Sequence, residues 1–205
     1  MNKEGLLFII SAPSGAGKTS LCKEVVSAFG GPNLYHSVSY TTRPPRPGEK
    51  DGEDYHFVSK EKFQEMIDNR RFVEWAEIYG NRYGTTIDSL KEYRHKGIDI
   101  ILDIDGQGGR QLKNEYPDGI YVFILPPSRK DLEERLRLRS TDSDEDIEKR
   151  LKNAKEELQY IYDYDYIVVN SDLEEAVSTL KSIIIAEKCR RDRVLPFVKG
   201  LFQLT

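Results

Sequence analysis

An apolar run followed at once by a glycine-rich loop and a helical pattern is the feature that most restricts the fold of this chain. Residues 6–10 read Leu-Leu-Phe-Ile-Ile, and residues 12–19 read Ala-Pro-Ser-Gly-Ala-Gly-Lys-Thr. Glycines at 15 and 17 let backbone N–H groups converge on phosphate oxygens, and the N-terminus of the following helix adds partial positive charge. The order of strand, loop and helix therefore predicts a phosphate-binding loop in an α/β fold.

Two side chains at the end of this loop carry the predicted chemistry. Lys18 would reach the outer phosphates of a nucleotide, and the Thr19 hydroxyl would join the coordination sphere of a Mg²⁺ ion. The strict pattern has glycine where Ala12 stands, and we expect the loop to tolerate alanine unless this position needs a positive φ. The residues predicted to bind ATP phosphates are Ala12, Pro13, Ser14, Gly15, Ala16, Gly17, Lys18 and Thr19.

The composition narrows the class of protein. With 35 acidic and 31 basic side chains among 205 residues, the net charge of −4 gives no general reason to expect binding to nucleic acid or to an anionic membrane. Cys22 and Cys189 are far apart in sequence, which suits a reducing compartment and argues against a disulfide framework or a cysteine metal site. No apolar stretch approaches the ~20 residues of a transmembrane helix, so we expect a cytoplasmic protein without membrane partners.

Apolar strands alternate with helices along most of the chain. Further strands are predicted at 98–104, 120–125 and 166–169, and a helical pattern follows each of them. Near-continuous apolar strands separated by helices are typical of a parallel sheet that is covered on both faces. Together with the first strand, they predict a core of four clear strands.

Two regions interrupt this alternation. Residues 33–96 are rich in turns and short strand-like pieces, and they predict an inserted subdomain in which Ser59 caps a helix. Residues 127–158 are densely charged, but an apolar stripe along their second helix predicts an ordered segment.

A pair of carboxylates follows the strand at 98–104. A parallel sheet would place Asp103 at the carboxyl edge, where ligands bind, and it can hold Mg²⁺ through water. Asp105 follows two residues later and points to the same side of the strand, so it is a second candidate for the metal or for an incoming substrate group. Many strands end in aspartate for turn or cap reasons, but the loop at 12–19 favours the metal site.

Arginine and hydroxyl side chains accumulate in the insert. Arginine binds phosphate through two parallel hydrogen bonds, and a tyrosine hydroxyl adds a directional bond without a further charge. Taken singly, these residues fit surface charges in a Pro-rich loop and core tyrosines. Taken together, they predict a second phosphate site formed by Ser39, Arg43, Arg46, Tyr55 and Tyr83.

Five ordered motifs give the chain its resemblance to the guanylate kinase family, from about Gly5 to Ile184. They are Ser-Val-Ser-Tyr-Thr-Thr-Arg-Pro-Pro-Arg at 37–46, Asp-Tyr-His-Phe at 54–57, Phe-Val-Glu-Trp-Ala at 72–76, Tyr-Gly-Thr-Thr at 83–86 and Ile-Leu-Asp-Ile-Asp at 101–105. The resemblance implies a P-loop NTPase-type parallel sheet flanked by helices, with an inserted GMP-binding subdomain and a helical lid. It also implies Mg²⁺-dependent transfer of the terminal phosphoryl group of ATP to GMP, and to dGMP, giving ADP and the diphosphate.

The same resemblance assigns roles to individual residues. Ser39, Arg43, Arg46, Tyr55 and Tyr83 would hold the GMP phosphate, while Glu74, Thr85 and Asp105 would face the guanine. The catalytic set would be Lys18, Arg43, Arg135, Arg139 and Arg150, with the last three in the lid. Asn170 would lie near the adenine of ATP, and Thr19 and Asp103 would hold the metal.

The guanine assignment has a chemical basis. One carboxylate can accept hydrogen bonds from both the N1–H and the N2 amino group of guanine, a donor pair that adenine lacks. Glu74 stands between Val73 and Trp75, however, and strand alternation equally permits an outward charge.

The domain expectation and several alternatives complete the analysis. We expect one domain at 4–184, with its core at 4–32, 97–126 and 159–184, its GMP-binding insert at 33–96, its lid at 127–158, and a tail at 185–205. The tail either packs on the core or mediates self-association as a homodimer. A non-catalytic scaffold domain, a nucleotide switch and a kinase for another phosphorylated acceptor are the functional alternatives. His36, His56 and His95 lack metal-ligand spacing relative to one another and receive no role.

Overall fold

A parallel sheet of five strands forms the centre of the computed structural model, which describes residues 4–30, 33–138 and 144–203. The strands lie in the order β2-β7-β1-β8-β9. They are β1 (Leu7–Ser11), β2 (Leu34–His36), β7 (Asp99–Asp103), β8 (Ile120–Leu125) and β9 (Tyr166–Val169). All four pairings are parallel, and β1 in the middle is buried along its whole length. The predicted fold class is confirmed.

Helices cover both faces of this sheet. On one face, α1 (Lys18–Phe29) and α7 (Leu173–Lys188) pack their apolar residues against Phe8 and Ile10. On the other face, α3 (Ile87–His95) and α4 (Gly106–Glu115) pack Leu90 and Leu112 against Ile9 and Leu102. The strands are apolar on both sides because neither face meets water.

The sequence analysis missed one strand of the central sheet. It predicted four strands, but β2 forms a fifth by pairing in parallel with β7 at the edge. The three residues of β2 lie within the range assigned to the insert. They are too few to show a periodicity, and only pairing with a distant strand makes them part of the core.

The insert has a sheet of its own. Its strands are β3 (Tyr40–Thr41), β4 (His56–Phe57), β5 (Phe72–Ile78) and β6 (Asn81–Thr86), in the order β4-β3-β6-β5. Helix α2 (Lys60–Asp68) begins after Ser59, whose hydroxyl accepts a hydrogen bond from the backbone N–H of Lys62, so the predicted cap is confirmed. Phe63 of α2 stacks on Phe72 with ring centroids 4.4 Å apart and fastens the helix to the sheet.

Two helices and a short 3₁₀ segment fill the region predicted as the lid. They are α5 (Arg129–Leu138), α6 (Asp144–Glu157) and the 3₁₀ helix Leu158–Asp163. Leu132, Leu136 and Ala154 form a small apolar cluster that joins α5 to α6. The apolar stripe predicted for the second helix thus serves helix-to-helix packing.

The C-terminal tail starts by packing on the core and ends in helix α8 (Arg191–Phe202). Lys188 forms an ion pair with the buried Asp99 at 2.7 Å, and Arg193 donates a hydrogen bond to the backbone oxygen of Glu4 at 3.1 Å. Further along α8, Phe197 and Phe202 are exposed. In the part of the chain described, no helix has both the length and the apolar character needed to cross a bilayer.

Candidate active site

The loop between β1 and α1 has the geometry of an anion receptor. Gly15 and Gly17 have φ angles of 94° and 86°, so both need the conformational freedom of glycine. Gly17 also lies against Asn170, because a Cβ at this position would come within 2.7 Å of Asn170 Nδ2. Among the described non-glycine residues, a positive φ occurs only at Arg70, Tyr79 and Gln203. The φ angle of Ala12 is therefore not positive, and position 12 does not require glycine.

Helix α1 starts directly at Lys18, and no side chain caps its N-terminus. The first amide groups of the helix are thus available to an anionic ligand. Lys18 Nζ lies 2.6 Å from Asp103 Oδ1 and donates a hydrogen bond to the backbone oxygen of Ile104 at 2.5 Å. The end of β7 and the residue after it thus hold the Lys18 ammonium.

Lys18 and Asp103 are a charged pair. Burial alone would raise the pKa of Asp103, but the Lys18 ammonium and a hydrogen bond from Thr19 hold it below its usual value. Burial would lower the pKa of Lys18, but the Asp103 carboxylate keeps it above its usual value. Both groups therefore keep their charges at neutral pH.

Glu74 points into the protein. The residue is 4% exposed, whereas its neighbour Trp75 is 37% exposed, so the outward alternative is wrong. An irregularity in the pairing of β5 with β6 lies between Phe72 and Glu74 and sets Glu74 opposite Thr85. Burial raises the pKa of Glu74 to about 7, although hydrogen bonds from Thr85 act in the opposite direction.

Helix α4 holds the strand that carries Glu74. Gln111 accepts a hydrogen bond from the backbone N–H of Trp75 at 3.2 Å and donates one to its oxygen at 2.9 Å. A Cβ at Gly108 would lie 2.5 Å from Glu74 Oε2, so only glycine leaves room for the carboxylate. No local pattern in the sequence indicates these contacts, because Gly108 is 34 positions from Glu74 and Gln111 is 36 positions from Trp75.

Asp105 lies beyond the end of β7. Its side chain caps α4 by accepting a hydrogen bond from Gly108 N at 2.8 Å, so the helix cap sets its direction and the predicted strand alternation does not apply. Burial raises its pKa, partly offset by the bond from Gly108. Asp105 and Glu74 therefore both lie beside Gly108.

One cleft of about 250 Å³ joins the loop to the insert. All eight predicted loop residues line it, and Asp103, Asp105 and Arg150 contribute to its wall. From the insert it is lined by five of the predicted residues, which are Ser39, Arg46, Tyr55, Glu74 and Tyr83. The structure thus brings the loop and most of the predicted second site to a common space.

The two remaining predicted residues of the insert, Thr85 and Arg43, do not line the cleft. The Thr85 hydroxyl is buried 3.4 Å from that of Ser39. Arg43 forms an ion pair with Glu49 at 2.8 Å, and its guanidinium carbon lies 5.4 Å from the centre of the Tyr55 ring. In this arrangement the Arg43 guanidinium contacts other residues of the insert.

Residues 4–187 match the family model described as guanylate kinase. The chain belongs to the guanylate kinase family. It is 54% identical to the guanylate kinase of Geobacter metallireducens and 55% identical to that of Geobacter sulfurreducens, in both cases over the whole of both chains. A crystal structure of guanylate kinase from Anaplasma phagocytophilum has a TM-score of 0.79 and 31% identity, and the match covers 99% of this chain and 98% of that one.

Membership of the guanylate kinase family confirms the predicted enzyme class. The chain is an ATP-dependent kinase and an ATP:GMP phosphotransferase. The scaffold and switch alternatives are therefore set aside. The roles of individual residues stay predictions.

The region predicted as the lid contacts the side of the cleft that the loop between β1 and α1 forms. Arg135 donates a hydrogen bond to the backbone oxygen of Asn170 at 2.9 Å, and Asn170 in turn donates one to that of Ala16 at 2.8 Å. Arg150 lines the cleft with its guanidinium carbon 5.6 Å from the centre of the Tyr79 ring. Arg139 lies outside the described residues. Arg137 pairs with Glu133 on the solvent side at 3.0 Å, as expected for a solvated face.

Glu157 is a cleft residue that sequence reasoning missed. Its carboxylate accepts a hydrogen bond from Ser14 N, an amide of the phosphate-binding loop, at 3.0 Å. Burial raises its pKa, and the bond from Ser14 opposes this. Glu157 is one of many acidic residues in α6, so no spacing distinguishes it in the sequence.

Proposed function

We propose that the transfer of the terminal phosphoryl group of ATP to GMP takes place within the cleft between the loop and the insert, and that dGMP is also an acceptor there. The observation that carries the proposal is the buried carboxylate of Glu74 in the same cleft as the phosphate-binding loop. The loop suits the phosphates of ATP, and Glu74 suits the two adjacent donors of guanine. The two substrates would then meet in the cleft, between the loop and Glu74.

The acceptor in this reaction is already a phosphate oxyanion, so no catalytic base is required. The protein must align two anionic substrates and offset their repulsion. Lys18 supplies a permanent positive charge on the donor side, and Arg46 lines the acceptor side. Arg43 would join them after leaving Glu49, and the lid arginines Arg135, Arg139 and Arg150 would add charge at the transferring group.

The donor set near Lys18 fits Mg²⁺. Thr19 offers a hydroxyl and Asp103 an ionised carboxylate, and hard oxygen ligands are those that Mg²⁺ binds. Because Lys18 already contacts Asp103, water between the carboxylate and the ion is the simplest arrangement. When bound, Mg²⁺ supplies positive charge to the ATP phosphates.

Discrimination against adenine follows from Glu74. A buried carboxylate that loses its two donors is left unpaired, and a hydrogen bond to a charged group contributes about 1.5–3 kcal/mol. Thr85 would donate toward the base carbonyl, and Asp105 would lie beside the base. Tyr55, Tyr83 and Ser39 supply hydroxyl donors for the monophosphate. Every described group in this scheme comes from one chain, so the homodimer stays a separate prediction.

The test is a comparison of GMP, dGMP, AMP, CMP and UMP as acceptors with ATP and Mg²⁺, followed by coupled detection of ADP. We expect GMP and dGMP to be used and the other three to be poor acceptors. Glu74→Gln should reduce the preference for GMP over AMP, whereas Glu77→Gln, an exposed change on the same strand, should leave it unchanged. Equal use of AMP by the unaltered protein would contradict the proposal.

A further inference from the structure

Three side chains with metal-binding atoms meet behind Lys18. Cys22 comes from α1, His36 from the end of β2, and Asp103 from the end of β7. One ligand atom of each, the sulfur, a ring nitrogen and a carboxylate oxygen, lies within 4.8 Å of the other two. The sequence argued against a cysteine metal site because the two cysteines, Cys22 and Cys189, are far apart along the chain.

The surroundings of the histidine point to a missing partner. His36 Nε2 is buried and has no hydrogen-bond partner among the described residues. A buried ring nitrogen without a partner is unusual in native proteins. A metal ion bound to this nitrogen would supply the missing partner.

We propose that Cys22, His36 and Asp103 form a binding site for Zn²⁺. Sulfur, imidazole nitrogen and carboxylate oxygen are the ligands of zinc in proteins, and three of them leave a fourth position for water. As the bond from Cys22 Sγ to the metal forms, the thiol releases its proton to solvent. Mg²⁺ prefers oxygen ligands, so this site differs from the proposed Mg²⁺ site although the two share Asp103.

Only a small movement would complete the site. Zinc lies about 2.0–2.3 Å from each ligand atom, which places the ligand atoms of a tetrahedral site roughly 3–4 Å apart. The three ligand atoms here lie within 4.8 Å of one another. Side-chain movements of about 1 Å would bring them to the separation that a tetrahedral zinc site requires.

Zinc at this site would inhibit the enzyme. Asp103 Oδ1 holds Lys18 Nζ at 2.6 Å, and a divalent cation on the same carboxylate would repel the ammonium. Lys18 would then leave the position in which it meets the phosphates. The inhibition rests on the proposed role of Lys18, whereas the binding of zinc does not.

Binding can be measured without the reaction. Zn²⁺ titration of nucleotide-free protein in excess Mg²⁺, followed by calorimetry, should give one site per chain. Co²⁺, used as a spectroscopic probe, should produce the charge-transfer absorption of a cobalt–thiolate bond. Cys22→Ala should abolish this absorption and lower the affinity for Zn²⁺ at least about tenfold. His36→Ala should lower the affinity for Zn²⁺ by a similar factor. The matched controls Cys189→Ala and His95→Ala change exposed residues and should have no effect.

The outcomes separate binding from inhibition. Cys22→Val, which keeps the site apolar and filled, replaces Cys22→Ala if thermal melting shows that the alanine variant is unfolded. The proposed site would be wrong if the affinity for Zn²⁺ stayed unchanged after loss of Cys22 or His36. It would also be wrong if Cys189→Ala lowered that affinity. In the kinase assay, Cys22→Ala should need at least about tenfold more free Zn²⁺ for half-inhibition. A cobalt–thiolate signal with unchanged turnover would overturn the link to Lys18 and leave phosphoryl transfer itself untouched.

Discussion

The carboxylate of Glu157 accepts a hydrogen bond from the backbone N–H of Ser14 at 3.0 Å, across 143 positions of sequence. An acidic side chain at the end of α6 thus occupies an amide of the loop between β1 and α1. If this loop binds the ATP phosphates as proposed, ATP and the Glu157 carboxylate would compete for the amide, because phosphate oxygens are also anionic. Binding of ATP should therefore release the end of α6 from the loop.

This competition predicts that Glu157→Gln tightens ATP binding. A hydrogen bond to a neutral amide is weaker than one to a carboxylate by about 1 kcal/mol, so we expect roughly fivefold higher affinity for ATP. Calorimetric titration of the variant with ATP and Mg²⁺ is the measurement. Glu156→Gln changes an exposed neighbour in the same helix and should have no effect. Weaker ATP binding by Glu157→Gln would show that the carboxylate assists the nucleotide.

The pKa of Glu74 predicts that GMP affinity depends on pH. Guanine needs the carboxylate form, and burial raises the pKa of Glu74 to about 7. Below pH 7 the free protein holds the proton, so GMP affinity should fall by up to about tenfold per pH unit. The phosphate of GMP also gains a proton near pH ~6, and Glu74→Gln isolates that contribution. A pH profile equally steep in wild type and Glu74→Gln would contradict the assignment.

The same shift predicts a stability change in the absence of ligand. The pKa of Glu74 is raised from a model-compound value of 4.5 to about 7, so the folded state loses stability as pH rises from 4.5 to 7. Glu74→Gln removes this loss and should raise the free energy of unfolding at pH ~8 by up to about 3 kcal/mol. Denaturant unfolding at pH ~8 and pH ~5 is the measurement. The gain should fall below about 1 kcal/mol at the lower pH, and it should be absent from Glu77→Gln at both pH values.

The close approach of Gly108 to Glu74 predicts a selective effect on GMP. A methyl group at this position would meet Glu74 Oε2 at 2.5 Å and displace it. Gly108→Ala should therefore raise KM for GMP by about tenfold while KM for ATP changes little. Gly200→Ala is the matched control, because a Cβ there meets nothing within 4 Å in another helix. An equal rise of both KM values would indicate general damage to the cleft.

Removal of the Lys18 charge should separate turnover from acceptor binding. Lys18→Met is expected to lower kcat by about 10²–10³-fold, the cost of losing one strong transition-state contact, while GMP affinity stays near wild type. The change leaves Asp103 buried without its cation, so a thermal melt must show that the variant is folded. Similar losses of kcat and GMP affinity would mean that the two phosphate sites are not separate.

Local patterns in the sequence were sufficient for the framework of the site. The run from 12 to 19 predicted the turn, the glycine positions and the start of α1, because φ above zero and an uncapped helix start are local properties. The cap at Ser59 was predicted for the same reason. Strand β2 was missed because three residues carry too little periodicity. The direction of Glu74 stayed open because it depends on a pairing irregularity with β6.

By itself, the sequence determined the α/β class, the phosphate-binding loop and the family of this protein. Each of these rests on neighbouring residues or on ordered motifs, which the chain carries whether folded or not. Only the tertiary structure decided that Glu157 reaches Ser14, that Glu74 lies against Gly108, and that Cys22, His36 and Asp103 converge. Such contacts depend on how separate elements pack, and no periodicity within one element encodes the distance to another.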